Sequence, residues 1–135
     1  MAGYSKNPLW RKLGLKESFQ CHLFQSPENY FELLEENPAG TQWDEDFSRG
    51  PYDFIHVFLR DQKSLEKGFK AWKSGLKKDG SLWVSWPKGS SKLVTDLNGN
   101  IVREHGLKEG LVDVKVCAVD EDWSGLKFMF RKKDR

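Results

Sequence analysis

Tyr52-Asp53-Phe54-Ile55-His56-Val57-Phe58-Leu59 is the clearest strand in the chain. Its near-continuous apolar character predicts burial on both faces, as in the middle of a parallel sheet. His56 lies inside it and is therefore expected to be a hydrogen-bonded core residue, not a catalyst. Directly after it, Asp61 reads as the N-cap of a helix. Leu65, Phe69, Trp72 and Leu76 recur there at helical spacing and form one apolar stripe. The other face carries Lys63, Lys67, Lys70 and Lys73, a solvated face by expectation. Lys77-Lys78-Asp79-Gly80 is read as the end of that helix, with basic residues and a glycine stop.

The same reading extends in both directions. Ser81-Leu82-Trp83-Val84-Ser85-Trp86 is a strand, and a loop leads from it into a helix over Lys92 to His105. Asn98-Gly99 interrupts that helix and Gly106 closes it. Val112–Val119 and Leu126–Arg131 are strands joined through Asp120–Gly125 as a hairpin. Upstream, Asn7-Pro8 starts a short helix that runs to Leu13 and stops at Gly14. Phe19–Phe24 alternates apolar and polar residues, a strand with one face less buried. Ser26-Pro27 repeats the cap signal and opens a helix through Tyr30, Phe31, Leu33 and Leu34. Thr41-Gln42-Trp43 reads as a short strand and Asp44-Glu45-Asp46 as a solvated loop. This alternation predicts an α/β fold in one domain over residues 1–135. The architecture expected is a small three-layer Rossmann-like sandwich, mostly parallel, with a C-terminal antiparallel β-hairpin.

Composition removes several function classes. The 135 residues suffice for one hydrophobic core, and 38% of them are apolar. No apolar run approaches the roughly 20 residues needed to span a bilayer. Met1-Ala2-Gly3-Tyr4-Ser5-Lys6 has no apolar core of the secretory kind, so a cytoplasmic location and no membrane partner are expected. With 22 basic and 20 acidic residues the formal charge is +2, which gives no general pull toward nucleic acid. Cys21 and Cys117 fall in strands and are expected to be reduced, buried thiols. His22, His56 and His105 lack ligand spacing, so no metal is expected. Six tryptophans are many for this length, and some are expected to line a groove.

In open α/β sheets, ligands bind beyond the carboxyl ends of the strands. The chain puts Gln25 and Ser26, Arg60 and Asp61, Lys88 to Lys92, and the hairpin turn Asp120 to Ser124 at that edge. Lys88-Gly89-Ser90-Ser91-Lys92 is the most ligand-like piece. It offers two hydroxyls and two cations and is read as feeding a helix N-terminus, a setting that favours an anion. A polar loop with a serine cap is the competing interpretation. Asp120 could act as a base or pair with Lys88 on a solvated loop. Trp86 and Trp123 could form a stacking wall or pack in the core. The first turn, Gln25-Ser26-Pro27-Glu28, has no glycine. Glycines there let the backbone approach a phosphate, whereas Pro27 removes an N–H and Glu28 adds a negative charge, so no cofactor is expected.

From Tyr52 onward the order of elements resembles the C-terminal half of class I methyltransferases, whose sheet ends in an antiparallel strand. Leu76-Lys77-Lys78-Asp79-Gly80 is similar to their Leu-x-x-Gly-Gly turn, with Asp79 in place of the first glycine. The resemblance implies two strand–helix units before Tyr52, and the stretch from Pro27 has room for one. Pro8–Leu15, Trp86-Pro87-Lys88, Thr95-Asp96-Leu97 and Gly110–Asp120 with Trp123–Phe128 resemble a family of short bacterial proteins, which implies fold and organisation and no particular activity. The function expected is a non-catalytic Rossmann-like module that binds a protein partner or a small anion. The alternative is a ligand sensor or methyltransferase-related enzyme working at the edge built from Ser26, Arg60, Lys88, Ser90, Ser91, Lys92, Asp120 and Trp123. A third interpretation, nucleic-acid binding through the lysine face of the Leu65–Leu76 helix, is disfavoured by the charge balance.

Overall fold

The computed structural model describes residues 7–135, so the reading of Met1 to Lys6 lies outside it. One sheet carries the strands β1 (Gln20–Phe24), β2 (Gln42–Asp44), β3 (Tyr52–Phe58), β4 (Leu76–Pro87), β5 (Leu111–Ala118) and β6 (Trp123–Phe130). They are ordered β2-β1-β3-β4-β6-β5. β2, β1, β3 and β4 pair in parallel, while β6 runs antiparallel to both β4 and β5. The helices are α1 (Leu9–Leu13), α2 (Tyr30–Leu34), α3 (Gln62–Gly75) and α4 (Gly99–Lys108). α3 and α4 cover one face, packing Leu65, Phe69 and Val102 on Ile55, Val57, Val84 and Phe128. α1 and α2 cover the other, packing Leu13, Tyr30 and Leu34 on Cys21, Phe54, Phe58 and Trp83. The result is the expected three-layer, mostly parallel sandwich, with β3 at its centre.

A polar residue in the central strand must find partners, because an unbonded buried polar group costs about 1–3 kcal/mol. His56 is fully buried and both ring nitrogens are used. Nδ1 is hydrogen-bonded to the Tyr30 hydroxyl and Nε2 to the Ser85 hydroxyl, each at 2.8 Å. Burial lowers the His56 pKa to about 3, so the ring is neutral and structural, as its strand position implied. Burial also pushes both thiols above their ordinary pKa, and both cysteines are free, which disfavours Cys117 as a nucleophile. Trp72, Trp83, Trp86 and Trp123 are core residues, and Trp83 donates its indole N–H to the Leu13 carbonyl at 2.9 Å.

Several boundaries differ from the sequence reading. α3 ends at Gly75, and Leu76 is already extended and paired with Tyr52. The Phe47 ring lies so close to Gly75 that a Cβ there would come within 2.4 Å of it. Lys77 to Gly80 therefore belong to β4 and do not finish a helix. Asn98-Gly99 opens α4 instead of interrupting it, since the Asn98 side chain accepts the Ile101 N–H at 2.9 Å. Ser26 does not cap α2, which begins at Tyr30 after Asn29. Asp44 is buried and not in a solvated loop, and the supposedly less buried face of β1 is covered, with His22 only 2% exposed. Gly106 does not close α4 but lies within it, against Phe128.

Two outcomes follow from this packing. Alanine in a helix interior normally adds about 0.5–1 kcal/mol over glycine. At Gly106 a Cβ would lie 2.1 Å from the Phe128 ring. Overpacking then outweighs propensity, and Gly106→Ala is expected to lose about 1–3 kcal/mol in urea unfolding. His56 supplies a pH signature. The unfolded chain takes up a proton near the ordinary histidine value of 6.5 while the folded chain resists until about 3. Stability should therefore fall as pH drops through that window, by roughly 1.4 kcal/mol per unit, with the slope reduced in His56→Gln.

Candidate functional site

The carboxyl ends of β1 and β3, the start of α3 and the β5–β6 turn enclose an open cleft of about 480 Å³. Gln25, Phe58, Arg60, Asp61, Ser64 and Trp123 line it. Phe58 and Trp123 meet edge to face at 5.1 Å and form the apolar wall. Arg60 is held by its backbone: its carbonyl accepts from the Thr95 hydroxyl at 2.7 Å and the Asp96 N–H at 3.3 Å. Its exposed guanidinium makes no ion pair among the described residues.

The first turn of α3 is already supplied with anions. Asp61 accepts the Ser64 N–H at 2.7 Å, and that bond holds its carboxyl below the ordinary pKa. Asp96 accepts the Gln62 N–H at 2.8 Å. An incoming anion would thus compete with two carboxylates at the helix end, and Arg60 is the anchor that is left.

The predicted site residues separate into groups. Arg60 and Trp123 share the cleft. Ser26 stands beside Gln25 without lining it. Lys88, Ser91 and Asp120 are gathered at the hairpin turn and are largely engaged there. Lys88 N–H donates to the Asp122 carbonyl, and the Ser91 hydroxyl to the Asp122 carboxylate, each at 2.8 Å. Asp120 accepts the N–H groups of Asp122 and Trp123. Ser90 and Lys92 are exposed on the same loop. That loop does not feed a helix N-terminus, because α4 starts only at Gly99, so the dipole expected behind it is missing. Trp86 and Trp123 do not make one wall: they are buried in the cores on opposite faces of the sheet. Phe58 and Ser64 were not anticipated. Their signals were the last position of the central strand and the third residue of a capped helix.

Adenosyl and dinucleotide cofactors make two demands at this edge: a close-approach turn after the first strand, and about 20 residues later a carboxylate for ribose hydroxyls. Neither is met. Gln25 adopts φ 55°, the left-handed shape that glycine favours, but brings a side chain, and Pro27 follows. Asp44 stands at the end of β2 with both oxygens occupied. Oδ1 is bonded to His22 Nδ1 at 2.9 Å and accepts the Phe47 N–H at 3.3 Å. Oδ2 accepts the Tyr52 hydroxyl at 2.5 Å. Burial opposes the Asp44 charge, yet the bonds to Tyr52 and His22 outweigh it and hold the pKa below its ordinary value. Burial, reinforced by the Asp44 carboxylate, pushes Tyr52 up to about 12. The residues present do not fit such a cofactor. Among the described residues no three His, Cys, Asp or Glu gather as a metal site, and no helix is long and apolar enough to cross a membrane.

No family model matches the sequence, and no curated protein sequence matches it either. Solved structures do match in shape. A SAM-dependent methyltransferase from Aquifex aeolicus has a TM-score of 0.62 at 11% identity, over 90% of this chain and 87% of that one. The magnesium protoporphyrin IX methyltransferase of Synechocystis gives 0.55 at 8% identity, over 87% and 76%. The tRNA methyltransferase TrmK of B. subtilis gives 0.51 at 10% identity, over 87% of this chain and 62% of TrmK, so this chain spans about three-fifths of that protein. At these identities the likeness establishes the fold: a shortened class I methyltransferase frame. One strand–helix unit, α2 with β2, stands between β1 and β3.

The strained first turn can be tested directly. A left-handed non-glycine residue costs about 1–2 kcal/mol, and glycine returns about 0.5–1 of that as extra chain entropy. Gln25→Gly is expected to raise unfolding stability by up to about 1 kcal/mol, measured by urea denaturation.

Proposed function

We propose that this protein is a non-catalytic binding module built on a methyltransferase frame, and that it takes a small anionic ligand in the cleft between Arg60 and the Phe58–Trp123 wall. The observation that carries this reading is the double engagement of Asp44. A carboxylate buried and already bonded on both oxygens is not held open toward a ribose. The turn at Gln25 to Glu28 points the same way, since it withholds N–H groups from a phosphate. Arg60 supports the anion half of the reading, as an exposed guanidinium with no internal ion pair beside an aromatic surface. The second reading, a ligand sensor or methyltransferase-related enzyme, is favoured by the shared fold alone.

Thermal shift and labelled-methyl transfer separate the two. S-adenosylmethionine and S-adenosylhomocysteine should leave the melting temperature unchanged, and no methyl transfer to protein, RNA or small-molecule acceptors should appear. Among phosphorylated and carboxylated metabolites, a compound whose stabilisation survives Lys127→Gln should lose at least tenfold in affinity in Arg60→Ala. Adenosyl-dependent stabilisation, or methyl transfer abolished by Ser26→Ala, would overturn the proposal.

A further inference from the structure

A second cationic site lies away from the cleft, on the sheet face beside α1. Lys115 of β5 and Lys127 of β6 are direct cross-strand partners. Like charges placed opposite one another destabilise a sheet pair. Lys127 is half-buried and passes under the turn at Gly14, where a Cβ would stand 3.5 Å from its Nζ. Burial first, then the charges of Lys115 and Lys16, depress its pKa. Lys12 lies at the same end of α1: its backbone carbonyl accepts the Lys115 ammonium at 3.2 Å, and its charge acts together with that of Lys115 on the Cys117 thiol.

The simplest structural role for these amines is to neutralise the C-terminal carbonyls of α1. That role is filled without Lys127. The Trp10 and Arg11 carbonyls accept the backbone N–H groups of Leu15 and Gly14. The Lys12 carbonyl takes Lys115, and the Leu13 carbonyl takes the Trp83 indole. Lys127 has no hydrogen-bond acceptor, and none of the four lysines has a carboxylate partner among the described residues. A half-buried ammonium among like charges, with its natural acceptors spent, calls for an anion from outside.

We propose that Lys12, Lys16, Lys115 and Lys127 form a binding site for the phosphate group of a small phosphorylated molecule. A tetrahedral dianion presents enough oxygens and charge to satisfy several point-charge ammonium groups at once, which a single carboxylate does not. This site is independent of the Arg60 cleft, and the failure of either leaves the other standing.

The test is a titration of the full chain with sodium pyrophosphate, with ionic strength held constant by sodium chloride. The expected result is saturable amide chemical-shift change confined to Gly14, Lys115, Lys127 and their neighbours. At ten times Kd the melting temperature should rise by about 5 °C. Lys127→Gln should weaken binding at least tenfold while keeping the ligand-free melting temperature the same or raising it. Should that variant fold poorly, Lys16→Gln, at an exposed position outside the strands, should weaken binding about threefold. Unsaturable or scattered shifts, or unchanged affinity in the lysine variants, would overturn the site. Retention on a short oligonucleotide without any response to pyrophosphate would overturn the small-molecule assignment.

Discussion

A single carboxylate, Asp44, closes the first half of this sheet. β2 is only three residues long and pairs with β1 alone, so its ladder is too short to fix its own end. Asp44 does this by side chain, bonding His22 on β1 and Tyr52 on β3, and taking the Phe47 N–H from the following loop. Phe47 in turn is held at φ 57° with its ring stacked on Tyr52 at 5.2 Å and edge-on to His22 at 4.8 Å. The same ring limits α3 at Gly75. The carboxylate at the end of β2 thus serves the closure of the sheet itself.

The second half of the chain was legible because its signals are local. A continuous apolar strand, an Asp cap with a helical stripe, and two strands around an acidic turn each fix an element with little outside help. The resemblance to class I methyltransferases rested on that half, and the shape comparison agrees with it. Errors gathered where tertiary contact overrides local preference. Asp44 sits in an Asp-Glu-Asp triplet that any composition argument assigns to solvent, and only β1–β2 pairing shows why it is buried. Gly106 carries a helix-stop signal, yet it is needed inside α4 because Phe128 lies against it. Asn98-Gly99 looked like a break and is a start, since an Asn side chain can cap as well as interrupt. Within the candidate site, Arg60 and Trp123 were identifiable from strand ends. Phe58 and Ser64 were not singled out, because nothing in a linear reading shows that the α3 start and the hairpin turn share one cleft.

The near-zero net charge conceals a sorted surface. Asp61 and Asp96 sit at the start of α3, and Asp120 and Asp122 in the hairpin turn at the same edge of the sheet. On the face beside α1, Lys12, Lys16, Lys115 and Lys127 make no ion pair among the described residues. A net charge governs long-range attraction to a polyanion, and at +2 it supplies no general pull of that kind. It does not govern a local field, which falls off within about 8 Å at physiological salt and depends on which charges lie inside that radius. At the sheet edge Asp61, Asp96, Asp120 and Asp122 are already bonded to N–H groups and hydroxyls, so they act as internal anions and leave Arg60 the exposed cation that lines the cleft. On the lysine face the cations have outnumbered their internal acceptors. The two surfaces thus differ in kind: at the sheet edge the acids are bonded from within and Arg60 is left open to the cleft, while beside α1 a half-buried ammonium has no carboxylate partner among the described residues.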